Sequence, residues 1–427
     1  MKKVLVSAYA CMPGYGSEEG NGWNYSTIIS QNNYQVWCLT RAVFRDKIEP
    51  QLAQSNRPNL TFVYVNLPSW VEKLYDRGMF GLYVHYLCWQ WAAFRQARAL
   101  DREHQYHLVH HVSYGSLQLG SFLYKLNRPF IFGPVGGGQE APASMRRYFK
   151  KYWLKEQIRS LVSRLMLHFN PGCYKTVRQA SRVLVWNEDT RQMAKALGRT
   201  EEVYKEFGGV AQAYIPAQPI RRAPGASMEL VWVGRLMPRK ALELTLHGFS
   251  KVNRQLPIHL TIVGDGEMAQ YMPEYRATYA LDDHQVRWVG RVDHEQVKAY
   301  YRQADVFYFT SLRDTGPAQL LEAMAYSLPV VTLNIHGQAE LVSDHTGIRV
   351  PVTDTETVAT NLAKAIEWMY YNPDQRLQMG LNAYQFASEQ TWEQKIRRLI
   401  HTYYEPVERC NAPVANSLNH EYPAAQA

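Results

Sequence analysis

The sequence predicts an α/β protein built as two doubly wound domains facing a cleft. Its 427 residues exceed what one hydrophobic core usually organises. An apolar strand, a glycine loop and a helix follow one another in the amino-terminal half, and the same rhythm restarts after a Pro/Gly/Ala-rich stretch at Pro216–Ser227. Apolar residues make up 46% of the chain, enough for two cores. The expected division is a first domain over 1–215, a linker over 216–228 and a second domain over 229–390. Residues 391–427 should supply a helix that returns to the first domain, then a disordered tail.

The elements follow in order. Val4–Ala10 is a compact apolar strand, and Gly14, Gly16, Gly20 and Gly22 form a loop after it. A helix from about Trp23 leads to a strand at Tyr34–Thr40, the order of a parallel α/β unit. Further strands are predicted at Leu60–Val65, His107–Val112, Phe130–Phe132 and Arg182–Trp186. In the second half they fall at Glu229–Val233, His259–Val263, Gln285–Val289, Val306–Thr310 and Pro329–Leu333. Val297, Tyr300 and Tyr301 give one intervening helix its apolar face.

Composition removes several classes. Five scattered cysteines without a C-x-x-C pair argue against structural zinc and a disulfide scaffold, and favour a reducing cytoplasm. Lys2-Lys3 before apolar residues imitates a leader peptide. The apolar run stops at Met12-Pro13 and no small-x-small site follows, so a buried first strand is expected instead. No apolar run reaches the roughly 18 residues of a membrane span. The net charge of +9 suits a polyanionic ligand, an anionic membrane surface or nucleic acid. The one basic cluster is helical and amphipathic rather than a groove-lining stripe, which excludes nucleic acid. No G-x-G-x-x-G follows the first strand, which weighs against a NAD-dependent dehydrogenase.

The sharper signals lie in the second half. Gly234-Arg235 closes a strand and Lys240 starts a helix five residues on, so two cations and a helix amino terminus converge as at a diphosphate site. Gly264 and Gly266 end the next strand, where backbone can approach a ligand closely, and Gly290 ends the one after. The segment Ser311–Val331 places Asp314 in a loop, Pro317 at a helix start and Glu322 inside that helix. Two carboxylates so spaced can accept hydrogen bonds from separate diols of one extended ligand, with Thr315 and Gly316 backbone donors between them.

Together these residues resemble glycosyltransferase family 4, over nearly the whole chain. The resemblance implies the GT-B architecture, two Rossmann-like domains, and sugar transfer from a nucleoside-diphosphate donor with retention of configuration. It implies that Arg235 and Lys240 hold the donor diphosphate, Glu322 the ribose and Asp314 the donor sugar. The Ala10–Trp23 loop resembles the one overhanging the phosphates, with Gly16 nearest, and Gly133–Gly138 a second cleft loop of polysaccharide-building members. The family keeps a histidine near the anomeric carbon, and here both His110 and His111 stand at the strand end, with His111 favoured. Two departures stand out. Asp314 replaces the usual glutamate, and Ser327 stands where glycine is common, so a left-handed backbone there would cost the serine.

No D-x-D triplet occurs, so the expectation is transfer without a metal or other cofactor. Met145–Arg164 carries seven basic residues against Glu156, interleaved with aromatics. It reads as a basic amphipathic helix docking on the anionic inner face of the cytoplasmic membrane. The resemblance then implies a saccharide acceptor, polyprenyl-linked. A nucleotide-sugar epimerase, a phosphorylase on the same fold, and a non-catalytic degenerate transferase subunit stay open as alternatives.

Overall fold

The structure, a computed structural model, describes residues 1–14, 16–199, 203–206, 208–223 and 225–410. The expected disordered tail from 411 onward lies outside these residues.

In chain order the first half runs β1 (Lys2–Ala8), α1 (Ser17–Gln31), β2 (Tyr34–Arg41), α2 (Arg45–Ser55), β3 (Leu60–Val65), α3 (Ser69–Glu72), α4 (Gly78–His104), β4 (Leu108–Ser113) and β5 (Phe130–Val135). It continues through α5 (Trp153–Phe169), α6 (Pro171–Gln179), β6 (Arg182–Val185), α7 (Glu188–Ala196) and β7 (Val203–Lys205). The second half comprises β8 (Met228–Val233), α8 (Leu242–Ser250), β9 (Ile258–Val263), α9 (Met272–Thr278), β10 (Val286–Trp288), α10 (His294–Gln303), β11 (Val306–Phe309), α11 (Ala318–Ala325), β12 (Val330–Leu333), α12 (His336–Leu341) and β13 (Gly347–Val350). Four helices close the described chain: α13 (Thr355–Tyr371), α14 (Pro373–Ser388), α15 (Trp392–Leu399) and α16 (Glu405–Cys410).

Two parallel sheets result, ordered β3-β2-β1-β4-β5-β6-β7 and β10-β9-β8-β11-β12-β13. In each, the chain leaves the first strand, fills one side, and returns to fill the other. That reversal opens a crevice beyond the carboxyl ends of β1 and β4, and of β8 and β11, the usual ligand position in such sheets. Strands buried on both faces read as near-continuous apolar runs, as in Leu-Val-Trp-Val of β8.

Helix α1 starts at Ser17 rather than near Trp23, and Gly20 and Gly22 are helical. A Cβ on Gly22 would stand 2.2 Å from the Ala10 carbonyl oxygen, so glycine lets the helix lie against the end of β1. The connection between the sheets already packs on the second domain before 216: Val210 and Tyr214 share a core with Val231, Phe307 and Leu320. The last helices cross back. Trp392, Ile396, Leu399, Tyr404 and Val407 are buried with Val4, Val36 and Ile131 of the first sheet.

Met145–Arg164 is not one helix. Ala143–Tyr152 is a 3₁₀ segment kinked at Lys150, whose φ is 48°, and α5 begins only at Trp153. Met145, Tyr148 and Phe149 are buried in the core of the second domain. Arg147 pairs with Glu243 at 3.5 Å and Lys150 with Glu274 at 2.7 Å. This part of the basic segment fastens the two domains together, because its aromatic side chains find an apolar partner within the protein.

Candidate active site

A cavity of about 760 Å³ lies between the domains. The first domain contributes Gly16, Glu18, Tyr83, Tyr114, Gly136, Gln139, Arg159 and Trp186 to its wall, and the second Arg239, His294, Lys298, Arg313, Asp314, Thr315, Gly316 and Glu322. Four predicted groups therefore meet at one wall: Asp314, Thr315, Gly316 and Glu322, with Gly16 opposite at the start of α1.

Asp314 stands in the loop after β11, its side chain 11% exposed. Lys240 Nζ and Arg239 Nη1 both pair with it, the latter at 3.0 Å, and Ser311 Oγ donates to it at 3.1 Å. Burial would raise this carboxyl, but the two cations overrule that and hold it at about 2. Lys240 itself is 4% exposed and lies 4.6 Å from the Phe309 ring centre. Burial lowers its pKa while Asp314 opposes the shift. Lys240 thus sits behind the carboxylate rather than in the cavity wall, and Arg239 holds the cavity-facing place. Arg235 is exposed just beyond β8. Glu322, on α11, accepts from Tyr301 at 3.3 Å and pairs with His294 at 3.6 Å. The Glu322 carboxylate raises the His294 ring above its ordinary value. Beside them Tyr214 packs against His294 at 5.0 Å between ring centres, with Lys298 5.0 Å from the Tyr214 ring.

The other predicted donor-site glycines, Gly264, Gly266 and Gly290, are not in the cavity wall. Gly264 has φ 140°, and a Cβ there would stand 1.8 Å from the Gly234 carbonyl oxygen. Its lack of a side chain lets the ends of β8 and β9 pack, as Gly266 does against Leu236. Gly290 donates no wall either; its carbonyl accepts from Gly264 N–H at 2.7 Å. By contrast a Cβ on Gly136 would meet Thr315 Cγ2 at 2.4 Å, so this glycine admits the second domain's loop.

The histidines require a correction. Both are fully buried and neither lines the cavity. His110 Nε2 donates to the Gly133 carbonyl at 2.7 Å and Nδ1 accepts from the Tyr404 hydroxyl at 2.6 Å. His111 Nε2 donates to the Tyr114 carbonyl at 3.2 Å. Burial pushes the rings down to about 3 and about 4, which favours the neutral form of both. A strand end offers both inward and outward faces, and here core packing claimed both rings.

Several wall residues escaped the sequence reading. Glu18 accepts from Gly115 N–H, and burial pushes its carboxyl up to about 7 against that bond. Gln139 donates to Thr315 Oγ1, and Asn187 donates to the Thr315 carbonyl at 3.0 Å, tying the domains across the cleft. Arg239 and Arg313 lay inside motifs already singled out. Glu18 lay inside the Ala10–Trp23 loop already singled out, whereas Gln139, Trp186 and Tyr214 carried no local signal, because only tertiary folding brings them to the wall. Among the described residues, no trio of His, Cys, Asp or Glu is placed to hold a metal ion.

Two parallel-sheet domains with a polar cleft at their carboxyl edges define the GT-B class. Comparison with known proteins agrees: residues 227–368, most of the second domain, match the family described as Glycosyl transferases group 1. The chain is 30% identical over 205 residues to WcaL of Escherichia coli K12, a candidate colanic acid biosynthesis glycosyltransferase, covering 46% of this chain and 50% of WcaL. The chain spans about half the length of the curated relatives it matches. Among solved structures, Anabaena HepE in complex with UDP superimposes with a TM-score of 0.61 at 16% identity, covering 95% of this chain and all of HepE. The lipopolysaccharide outer core galactosyltransferase WaaB gives a TM-score of 0.63 at 11% identity, covering 95% and all of the two chains. At such identities these two show the fold.

Proposed function

We propose that the protein is a retaining glycosyltransferase that moves a sugar from a nucleoside-diphosphate donor to a lipid-linked saccharide acceptor in polysaccharide biosynthesis. The observation that carries this reading is that Asp314 and Glu322 face one interdomain cavity, eight residues apart on a loop and the helix after it. Glu322 accepts from the ribose diol, which displaces His294. Tyr214 and His294 flank the base. Arg235 and Arg239 neutralise the leaving diphosphate, and Lys240 fixes the orientation of Asp314 towards the donor sugar. Charge developing on the leaving group is met by these cations, so no divalent ion is required. The UDP complex of HepE and the colanic acid assignment of WcaL support a nucleotide-sugar donor and a polysaccharide product.

The lipid-linked part rests on α5. Leu154, Ile158, Leu161, Leu165 and Phe169 are exposed at helical spacing, with Lys155 and Arg164 exposed beside them. An apolar stripe edged by cations suits an anionic bilayer surface. No helix among the described residues is long and apolar enough to cross a membrane. The reading is tested by incubating the protein with a panel of nucleoside-diphosphate sugars and a polyprenyl-linked saccharide acceptor, and following the product's anomeric proton by NMR, with and without EDTA. Transfer with retained configuration in EDTA is expected. Inverted product, or activity restored only by manganese or magnesium, would contradict it.

A further inference from the structure

Helix α5 has a second face. Arg159, Ser163 and Met166, on the side away from the apolar stripe, line the cavity together with Tyr83 of the first domain. From the second domain Arg313, the residue before Asp314, lines it too. Glu156 lies between the two arginines. Arg159 Nε donates to it at 3.0 Å, while Arg313 Nη2 donates to its other oxygen at 3.2 Å and Arg313 Nε approaches at 2.6 Å. Arg159 Nη2 reaches Ser160 Oγ at 3.1 Å and the Gln139 carbonyl at 3.4 Å. The two arginine side chains are 19% and 18% exposed, so both are largely withdrawn from solvent.

One glutamate is a poor match for this pair. A guanidinium carries about five N–H donors, and a carboxylate accepts at about four positions. Two arginines on Glu156 therefore keep spare donors in the cavity wall. An interdomain latch needs one arginine; the second adds desolvation and like-charge repulsion, which together bring Arg313 down to about 10. The same surplus recurs next door, where Arg239 and Lys240 share Asp314.

We propose that Arg159 and Arg313 form a seat for an oxyanion carried by the acceptor, a phosphoryl or carboxylate group near the reacting hydroxyl. The inference rests on the donor-cleft reading above and adds the acceptor's charge to it. Arg159 stands on the first-domain wall, whereas the nucleotide end of the cavity is marked by Glu322, Tyr214 and His294. A bound oxyanion would accept from one arginine of each domain, and planar forks suit it better than an ammonium would. A neutral sugar would leave the surplus donors unanswered.

The test is calorimetric titration of the protein saturated with UDP, using glucose 1-phosphate, glucuronate and glucose as probes. The charged probes should bind and glucose should not, and whichever charged probe is preferred identifies the phosphoryl or the carboxylate source. Arg159→Gln should weaken the charged probes by about ten-fold or more while changing UDP affinity by less than about two-fold, and Arg159→Lys should recover only part of the loss. Arg313→Gln should show the same probe loss, guarding against a folding defect peculiar to one variant. Equal binding of glucose, or charged-probe affinity indifferent to both substitutions, would overturn the proposal. So would an Arg159 dependence confined to UDP-glucuronate, titrated as a fourth probe into the nucleotide-free protein, which would put the oxyanion on the donor. Failure of UDP and of the nucleoside diphosphates carrying the other bases to bind the wild type would instead contradict the donor reading, and the same probe comparison without nucleotide would still decide the seat.

Discussion

At Lys240 an ammonium is enclosed by Asp314 and the face of Phe309, and its neighbour Arg239 shares the same carboxylate. Removing the buried cation leaves Asp314 half-compensated. Lys240→Ala should therefore lower stability as well as transfer, by about 3 kcal/mol, the lower end for a broken buried pair because Arg239 remains. Chemical denaturation checks this, and an unchanged midpoint would mean that the pair is not buried in solution. Glu18 gives a pH signature. Its folded value of about 7 lies above the ordinary carboxylate value, so the folded state holds the proton more tightly than the unfolded chain. That contribution is complete in acid and is lost as pH rises through about 7. Glu18→Gln should accordingly be more stable than wild type at pH 8, with the difference vanishing near pH 4. A constant difference across that range would rule out the raised carboxyl.

Between elements, Ser327 joins α11 to β12 with φ 57°, a left-handed backbone that favours glycine. The serine is compensated by its hydroxyl, which accepts from Ile220 N–H at 2.9 Å, while its carbonyl accepts from Arg222 at 2.9 Å. Ser327→Gly should be near neutral, since relief of strain offsets the lost acceptor. Ser327→Ala keeps the strain and loses the bond, and should cost about 1–2 kcal/mol by thermal melting. Destabilisation by glycine equal to that by alanine would show that strain is absent. The serine position was legible in the sequence because its cost is local. The long apolar strands were legible for the same reason. Strands β7 and β13 were not: Val203–Lys205 and Gly347–Val350 are three and four residues long, too short to show a period. Nor were the fates of Tyr148, Phe149, His110 and His111. An aromatic beside a cation, or a histidine at a strand end, looks the same in sequence whether its partner is a ligand, a membrane or the opposite domain. Asp314 and Glu322 were legible because loop and helix alone fix their spacing.

At the scale of the whole molecule, the first domain carries an exposed apolar stripe on α5 whose inner face borders the cavity, so a membrane-held acceptor would meet the cleft across a single helix. The double variant Leu161→Glu, Leu165→Glu should abolish co-sedimentation with phosphatidylglycerol vesicles and leave nucleotide binding intact, while wild-type binding should weaken as salt rises. Sedimentation that survives both acids would place any membrane contact elsewhere. The second domain contributes Asp314 and Glu322 to the cavity wall, and the 3₁₀ segment at Ala143–Tyr152 and helices α15 and α16 bind the halves together. The central claim is that Glu322, facing that cavity, holds the donor's ribose. Its most direct measurement is calorimetric titration of UDP, and of the nucleoside diphosphates carrying the other bases, into wild type and Glu322→Ala. At least one nucleotide should bind the wild type, and the variant should lose about 2–3 kcal/mol of that affinity, a factor of roughly 30 to 150, with its melting curve little changed. Equal affinity in the two proteins would contradict the account.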